Sequence, residues 1–220
     1  MGRFLIFALA VFFAVPAAAQ VATATAVENY GVPGFDTIVR NPAEYRKVID
    51  KFALGQERLT RRECVIAYYG FAWQPYFSPE PSDAELKMQE NILKGDLERV
   101  YDFGNMALSR DPVNLTALYW TLAAATETRK SWEVRNSLKT RYNNVTVAIA
   151  GSGDGRTPET AFRIVRDGDM YVYCMIELEV EIEERYLVDE RYDMLHVKPS
   201  ATFPRDTVFF ETARFIPTMQ

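Results

Sequence analysis

The spacing of apolar residues changes period at Gly151-Ser152-Gly153-Asp154-Gly155, and this change sets the class of fold open to the chain. Before it, from Asn41 to about Asn144, apolar residues recur at helical intervals. After it the interval is two. From Tyr171 to Glu183, the residues Val172, Cys174, Ile176, Leu178, Val180 and Ile182 fall on one side of an extended chain. Tyr171, Tyr173, Met175, Glu177, Glu179, Glu181 and Glu183 fall on the other. The pattern predicts an α+β protein with a spacer over 20–40, a helical part over 41–150 and a small antiparallel β-sheet over 151–220, the last two packed as one unit.

The helix starts carry their own chemistry. Thr60 and Glu63 have the spacing of a capping box, in which the hydroxyl bonds the third amide and the carboxylate reaches back; Ser82 and Glu85 repeat it. Asp111-Pro112 reads as a capping Asp before a Pro at the first helical position. Pro75, Pro79 and Pro81 mark a loop after the helix that holds Tyr68 and Tyr69. The stretch from Ala107 to Trp120, with its Asp-Pro, Asn and Leu-Tyr elements, resembles a junction between tetratricopeptide repeats, and two such hairpins fit between Ser82 and Val147. In the C-terminal part, Thr157-Pro158-Glu159-Thr160 predicts a single capped turn and Asp167-Gly168-Asp169 a hairpin. Strands are expected at Phe162 to Val165, Tyr171 to Glu183, Met194 to Val197 and Thr207 to Phe215, with Pro199, Pro204 and Pro217 blunting the edges.

The first residues predict export. Arg3, the apolar run Phe4 to Val15 and Ala17-Ala18-Ala19 before Gln20 form a secretory leader over 1–19, cleaved after Ala19. The run is well short of the ~20 residues that cross a bilayer, and no later stretch is long enough, so no membrane span is expected in the mature chain. Periplasmic or secreted location follows. With Lys and Arg 25 against Asp and Glu 30, the net charge of -5 argues against a nucleic-acid partner. Two cysteines, Cys64 and Cys174, leave two readings open: one disulfide between the helical and β parts, or two buried thiols.

With these segments laid out, the chain resembles the domain-of-unknown-function family 4919 of exported bacterial proteins, over about Tyr45 to Phe215. The resemblance is carried by Leu59-Thr60, Ala67-Tyr68-Tyr69-Gly70, Tyr76-Phe77-Ser78-Pro79 and, most specifically, the segment from Gly151 to Phe162. Asp169-Met170-Tyr171 and Val197-Lys198-Pro199 complete it. That family has no assigned activity, so the resemblance implies architecture and export but no catalytic residue.

Candidate chemistry is sparse. His196 is the one histidine, and no Gly-x-Ser-x-Gly elbow accompanies it. The glycine-rich segment follows a helix and leads into a strand, the reverse of a phosphate-binding loop, and reads as a turn that needs positive backbone angles. Glu177, Glu179 and Glu181 would project from one sheet face as calcium ligands or, more simply, as a solvated face. Tyr69, Trp73, Tyr76 and Phe77 are the candidate ligand or partner contacts, divided between core and the proline loop. No convergent catalytic set and no cofactor motif is present. The expected function is a non-catalytic module that binds a protein or envelope component through its helical surface. The alternative is an envelope hydrolase of glycan or peptide using carboxylates such as Asp154, Asp169 or Glu177.

Overall fold

The computed structural model describes residues 30–188 and 191–212. The leader, the first half of the spacer, and Phe215 and Pro217 beyond the last strand lie outside the described residues.

Helix α1 (Phe35–Arg40) falls inside the segment expected as spacer. Six residues are too few to show a period, and the helix is held by burial of Phe35 and Val39. Asn41 then caps α2 (Pro42–Leu54), its side-chain oxygen accepting from the amides of Ala43 and Glu44, with Pro42 at the first position. Helix α3 (Arg61–Phe71) opens on the Thr60–Glu63 capping box, and α4 (Asp83–Lys94) on the box formed by Ser82 and Glu85. From Cys64 to Phe71 every residue of α3 is buried, so this helix is surrounded by its neighbours. Helices α4 and α5 (Leu97–Arg110) form one tetratricopeptide-like hairpin, and α6 (Leu115–Glu127) and α7 (Trp132–Ala150) the other.

The junction between the hairpins differs from the Asp-Pro cap read in the sequence. Asn114, not Asp111, caps α6: its Oδ1 accepts from the Ala117 amide at 2.8 Å. Asp111 instead ends α5 and forms an ion pair with Arg166, so a partner distant in sequence claims the carboxylate.

The C-terminal part holds a four-stranded sheet in the order β1-β4-β3-β2. Strands β2 (Glu181–Val188), β3 (Tyr192–Lys198) and β4 (Thr207–Thr212) are antiparallel, and the short β1 (Phe162–Ile164) joins β4 in parallel. Most of the strand expected from Tyr171 to Glu183 is not extended. Asp167-Gly168-Asp169 begins helix α8 (Asp167–Val172), which runs on as a π-helical segment Tyr173–Glu177; only from Glu181 is the chain in a strand. The reason is that Met170, Tyr173, Cys174 and Leu178, at helical spacing, are all buried, and the period-two reading shares Cys174 and Leu178 with this face. A positive φ of 55° at Glu179 then redirects the chain into β2.

Buried side chains from Val32 to Phe210 form one cluster that includes helix and sheet residues. Two adjacent tyrosines of α3 bind the helices to the β part. The Tyr68 hydroxyl donates to Asp169 Oδ2 at 2.7 Å and accepts from the Val165 amide at 3.0 Å; the Tyr69 hydroxyl donates to Arg163 O at 3.0 Å, with Ala148 O at 3.3 Å.

Candidate functional site

A cleft of about 700 Å³ opens between α2, the turn after α3, the end of α5 and the middle of α7. Buried Tyr45, Phe71 and Leu108 give it an apolar base, and exposed Arg46, Arg110 and Tyr76 form its rim. Tyr45 is placed by α2, its hydroxyl donating to Ala67 O of α3 at 3.2 Å. The turn that carries Tyr76 is pinned by Gln74, whose Nε2 donates to Gly70 O at 2.8 Å and to Val39 O at 3.2 Å. Tyr76 stands edge-on to Phe71 and is 62% exposed, an unusual exposure for an aromatic residue held in a fixed turn.

Arg141 of α7 reaches the cleft from behind. Its Nη2 donates to Pro112 O at 2.9 Å, its guanidinium carbon lies 5.7 Å from the centre of the Phe52 ring, and its buried Nε has no hydrogen-bond partner among the described residues. Burial lowers its pKa to about 10, against the opposing charge of Asp111. Arg46, Arg110 and Arg141 each lack a carboxylate at ion-pair distance among the described residues.

Next to this cleft runs a buried polar seam. Arg166 pairs with Asp111, donates to Ser78 O and lies 4.9 Å over the Phe77 ring. Asp169 accepts from Tyr68 and from the Leu115 amide, and Asn114 Nδ2 donates to Glu85 Oε1 at 2.6 Å. Burial raises the Asp169 carboxyl to about 7 and that of Asp111 to about 6, with Arg166 opposing both. Asp169 is 1% exposed and does not line this cleft, so its shifted pKa belongs to the joint between helices and sheet.

The residues singled out in the sequence are dispersed. Tyr69 is buried and bonded to backbone carbonyls, which removes it from any surface. Trp73 is half-buried with Arg40 4.8 Å over its ring, and Phe77 packs on Phe71 and Arg166; only Tyr76 of the four lines the cleft. The carboxylate row does not share a face. Glu177, in the π-helical segment, accepts from Tyr142 Oη at 2.7 Å; Glu179 accepts from Thr202 Oγ1 at 3.0 Å; Glu181 pairs with Lys198 at 2.8 Å. Among the described residues no cluster of three or more His, Cys, Asp and Glu is placed to hold a metal. His196, on β3, stands edge-on to Tyr186.

The glycine-rich segment is a connector. The amides of Asp154 and Gly155 donate to Thr160 O, that of Arg156 to Asp154 Oδ1, and Gly155 O accepts from Phe209 of β4, so these groups already bond within the chain. Gly155 alone of its three glycines has a positive φ, 68°.

Of the two readings of the cysteines, the thiols hold: Cys64 and Cys174 are free and buried. Burial pushes the Cys64 thiol up to about 11 and raises that of Cys174 further. Neither is therefore expected to react with a thiol reagent at pH 8 until the protein is unfolded, when both should. Rapid labelling of one cysteine in the native protein would contradict this packing.

The cleft arginines escaped the sequence reading. The one available signal is that Arg141 has no acidic residue three or four positions away on its helix, which leaves its charge without a local partner.

No curated protein matches the chain, and no solved structure does. A family model described as a domain of unknown function, DUF4919, matches residues 37–219, which include both hairpins and the sheet. The chain belongs to the DUF4919 family of domains of unknown function.

Proposed function

We propose that the protein is exported and works outside the cytoplasm as a non-catalytic binding module, holding an envelope component or a segment of another protein in the cleft on its helical surface. The observation that carries this reading is the cleft itself. It has a fixed apolar base, an exposed tyrosine on a pinned turn and unpaired guanidinium groups, a combination suited to holding a ligand. Among the described residues its acidic lining is the single carboxylate of Asp50, with no histidine or cysteine, so it lacks the paired carboxylates of a glycan hydrolase.

The leader pattern of Arg3, the apolar run and Ala17-Ala18-Ala19 supports export. No helix among the described residues is long and apolar enough to cross a membrane. No observation favours the hydrolase alternative, because Asp154, Asp169 and Glu177 do not line the cleft.

Thermal unfolding in the presence of fractionated envelope extract tests the reading. At least one fraction should raise the midpoint of the wild type and leave that of Tyr76→Ala unchanged. Equal shifts in both proteins, or consumption of the stabilising compound, would overturn it.

A further inference from the structure

We infer that the cleft binds a small organic anion, a carboxylate or phosphate group on an apolar or aromatic body, with Arg46, Arg110 and Arg141 as its counter-charges. This rests on the cleft being a binding site and names the class of its ligand.

Charge balance is the first reason. The chain carries more acidic than basic residues, yet the cleft reverses the ratio, with three guanidinium groups against the carboxylate of Asp50. Two other arginines withdrawn from water are, by contrast, paired with carboxylates. Arg166 meets Asp111, and Arg185 meets both Asp193 and Asp167. The three cleft arginines come from α2, α5 and α7, which are far apart in sequence, so the fold brings like charges together at one opening. An anion seated among them would be attracted by all three.

Arg141 supplies the second reason. A guanidinium withdrawn from water is unfavourable unless fully compensated, and the protein supplies here one carbonyl bond from Pro112, the face of Phe52 and the more distant charge of Asp111, a carboxylate already paired with Arg166. Among the described residues nothing bonds its buried Nε. An oxyanion in the cleft would supply the missing charge, and the planar fork of arginine matches both carboxylate and phosphate oxygens.

The lining sets the rest of the ligand. Ile49, Phe71 and Leu108 offer apolar surface beneath the arginines, and Tyr76 offers a ring at the rim, so the anion belongs on an apolar or aromatic body. A volume of about 700 Å³ suits a small molecule or a single projecting group. A polyanion such as nucleic acid is disfavoured by the net charge of -5.

Calorimetric titration of the purified protein with benzoate, phenyl phosphate, inorganic phosphate and the neutral benzamide tests the inference. Benzoate or phenyl phosphate should bind at least about ten-fold more tightly than benzamide, the scale of one charge-assisted hydrogen bond, and affinity should fall with added salt. The order of the first two tells carboxylate from phosphate, and inorganic phosphate shows how much the body contributes. The double variant Arg46→Gln/Arg110→Gln changes two exposed residues and should fold normally, yet lose at least about ten-fold in affinity for the anionic probe. Failure of both benzoate and phenyl phosphate to bind at millimolar concentration would overturn the inference, as would binding unchanged in the double variant. If benzamide binds as tightly as benzoate and Tyr76→Ala weakens both, the anion inference fails while the cleft stands as a binding site.

Discussion

Replacing Asp169 with alanine should lower the free energy of unfolding by about 3 kcal/mol, because two buried groups lose their partner together. The Tyr68 hydroxyl proton and the Leu115 amide both lie on Asp169, and neither can reach water when it is gone. Leu115 is the first residue of α6 and Tyr68 is in the middle of α3, so the carboxyl joins two helices to α8. Asp169→Asn keeps an acceptor for the Leu115 amide and should cost about 1 kcal/mol.

The asparagine variant also separates packing from charge. Burial raises the Asp169 carboxyl from an ordinary value of 3.8 to about 7, so the folded protein keeps a proton there that the unfolded chain releases. The native state binds more protons between those values. Stability therefore falls as pH rises from about 4 to about 7, and Asp111, raised to about 6, acts in the same direction over the lower part of that window. Urea unfolding at pH 5 and pH 8 measures the effect: the wild type should lose more stability between them than Asp169→Asn. Parallel losses in the two proteins would show that Asp169 does not ionise in this range.

The second large effect is steric. A Cβ at position 153 would lie 2.2 Å from Thr160 O and 2.5 Å from Ala161 O, and since both are backbone atoms no side-chain rotation relieves the overlap. Gly153→Ala should therefore cost about 3 kcal/mol, with the turn before β1 displaced. Gly95→Ala is the internal control. Gly95 has a φ of 70° but nothing within 4 Å of an added Cβ, so it should lose only the ~1 kcal/mol of left-handed strain. Denaturant midpoints in the order wild type, Gly95→Ala, Gly153→Ala are expected. Equal losses at the two glycines would mean that the Thr160 and Ala161 carbonyls move aside and that crowding does not hold position 153.

This distinction was only half visible in the sequence. Positive backbone angle is a local property and accounts for Gly155, whereas Gly153 is glycine because the Thr160 and Ala161 carbonyls pass close by. The candidate site was less legible still. Tyr76 could be picked out because prolines flank its turn, but nothing in the spacing of Arg46, Arg110 and Arg141 predicts that three helices present them to one opening. Tyr69 shows the opposite limit. An aromatic residue beside a proline loop reads as a possible contact, and its partners Ala148 and Arg163, 79 and 94 residues away, place it in the interior.

What the amino-acid sequence determined alone are features whose interactions close within about four residues. The capping boxes at Thr60 and Ser82, the turn at Thr157 and the passage from helices to strands across the glycine-rich segment all belong here. Tertiary structure decided what depends on burial by distant parts of the chain. It made a helix of Asp167–Val172, where alternation pointed to a hairpin and strand, because Asp169 meets Tyr68 across 101 residues. It gave the cap of α6 to Asn114 because Arg166 claimed Asp111, and it brought the cleft arginines together. Local hydrogen bonds are specified by neighbours in the chain, but the water that a side chain loses is specified only by the whole fold.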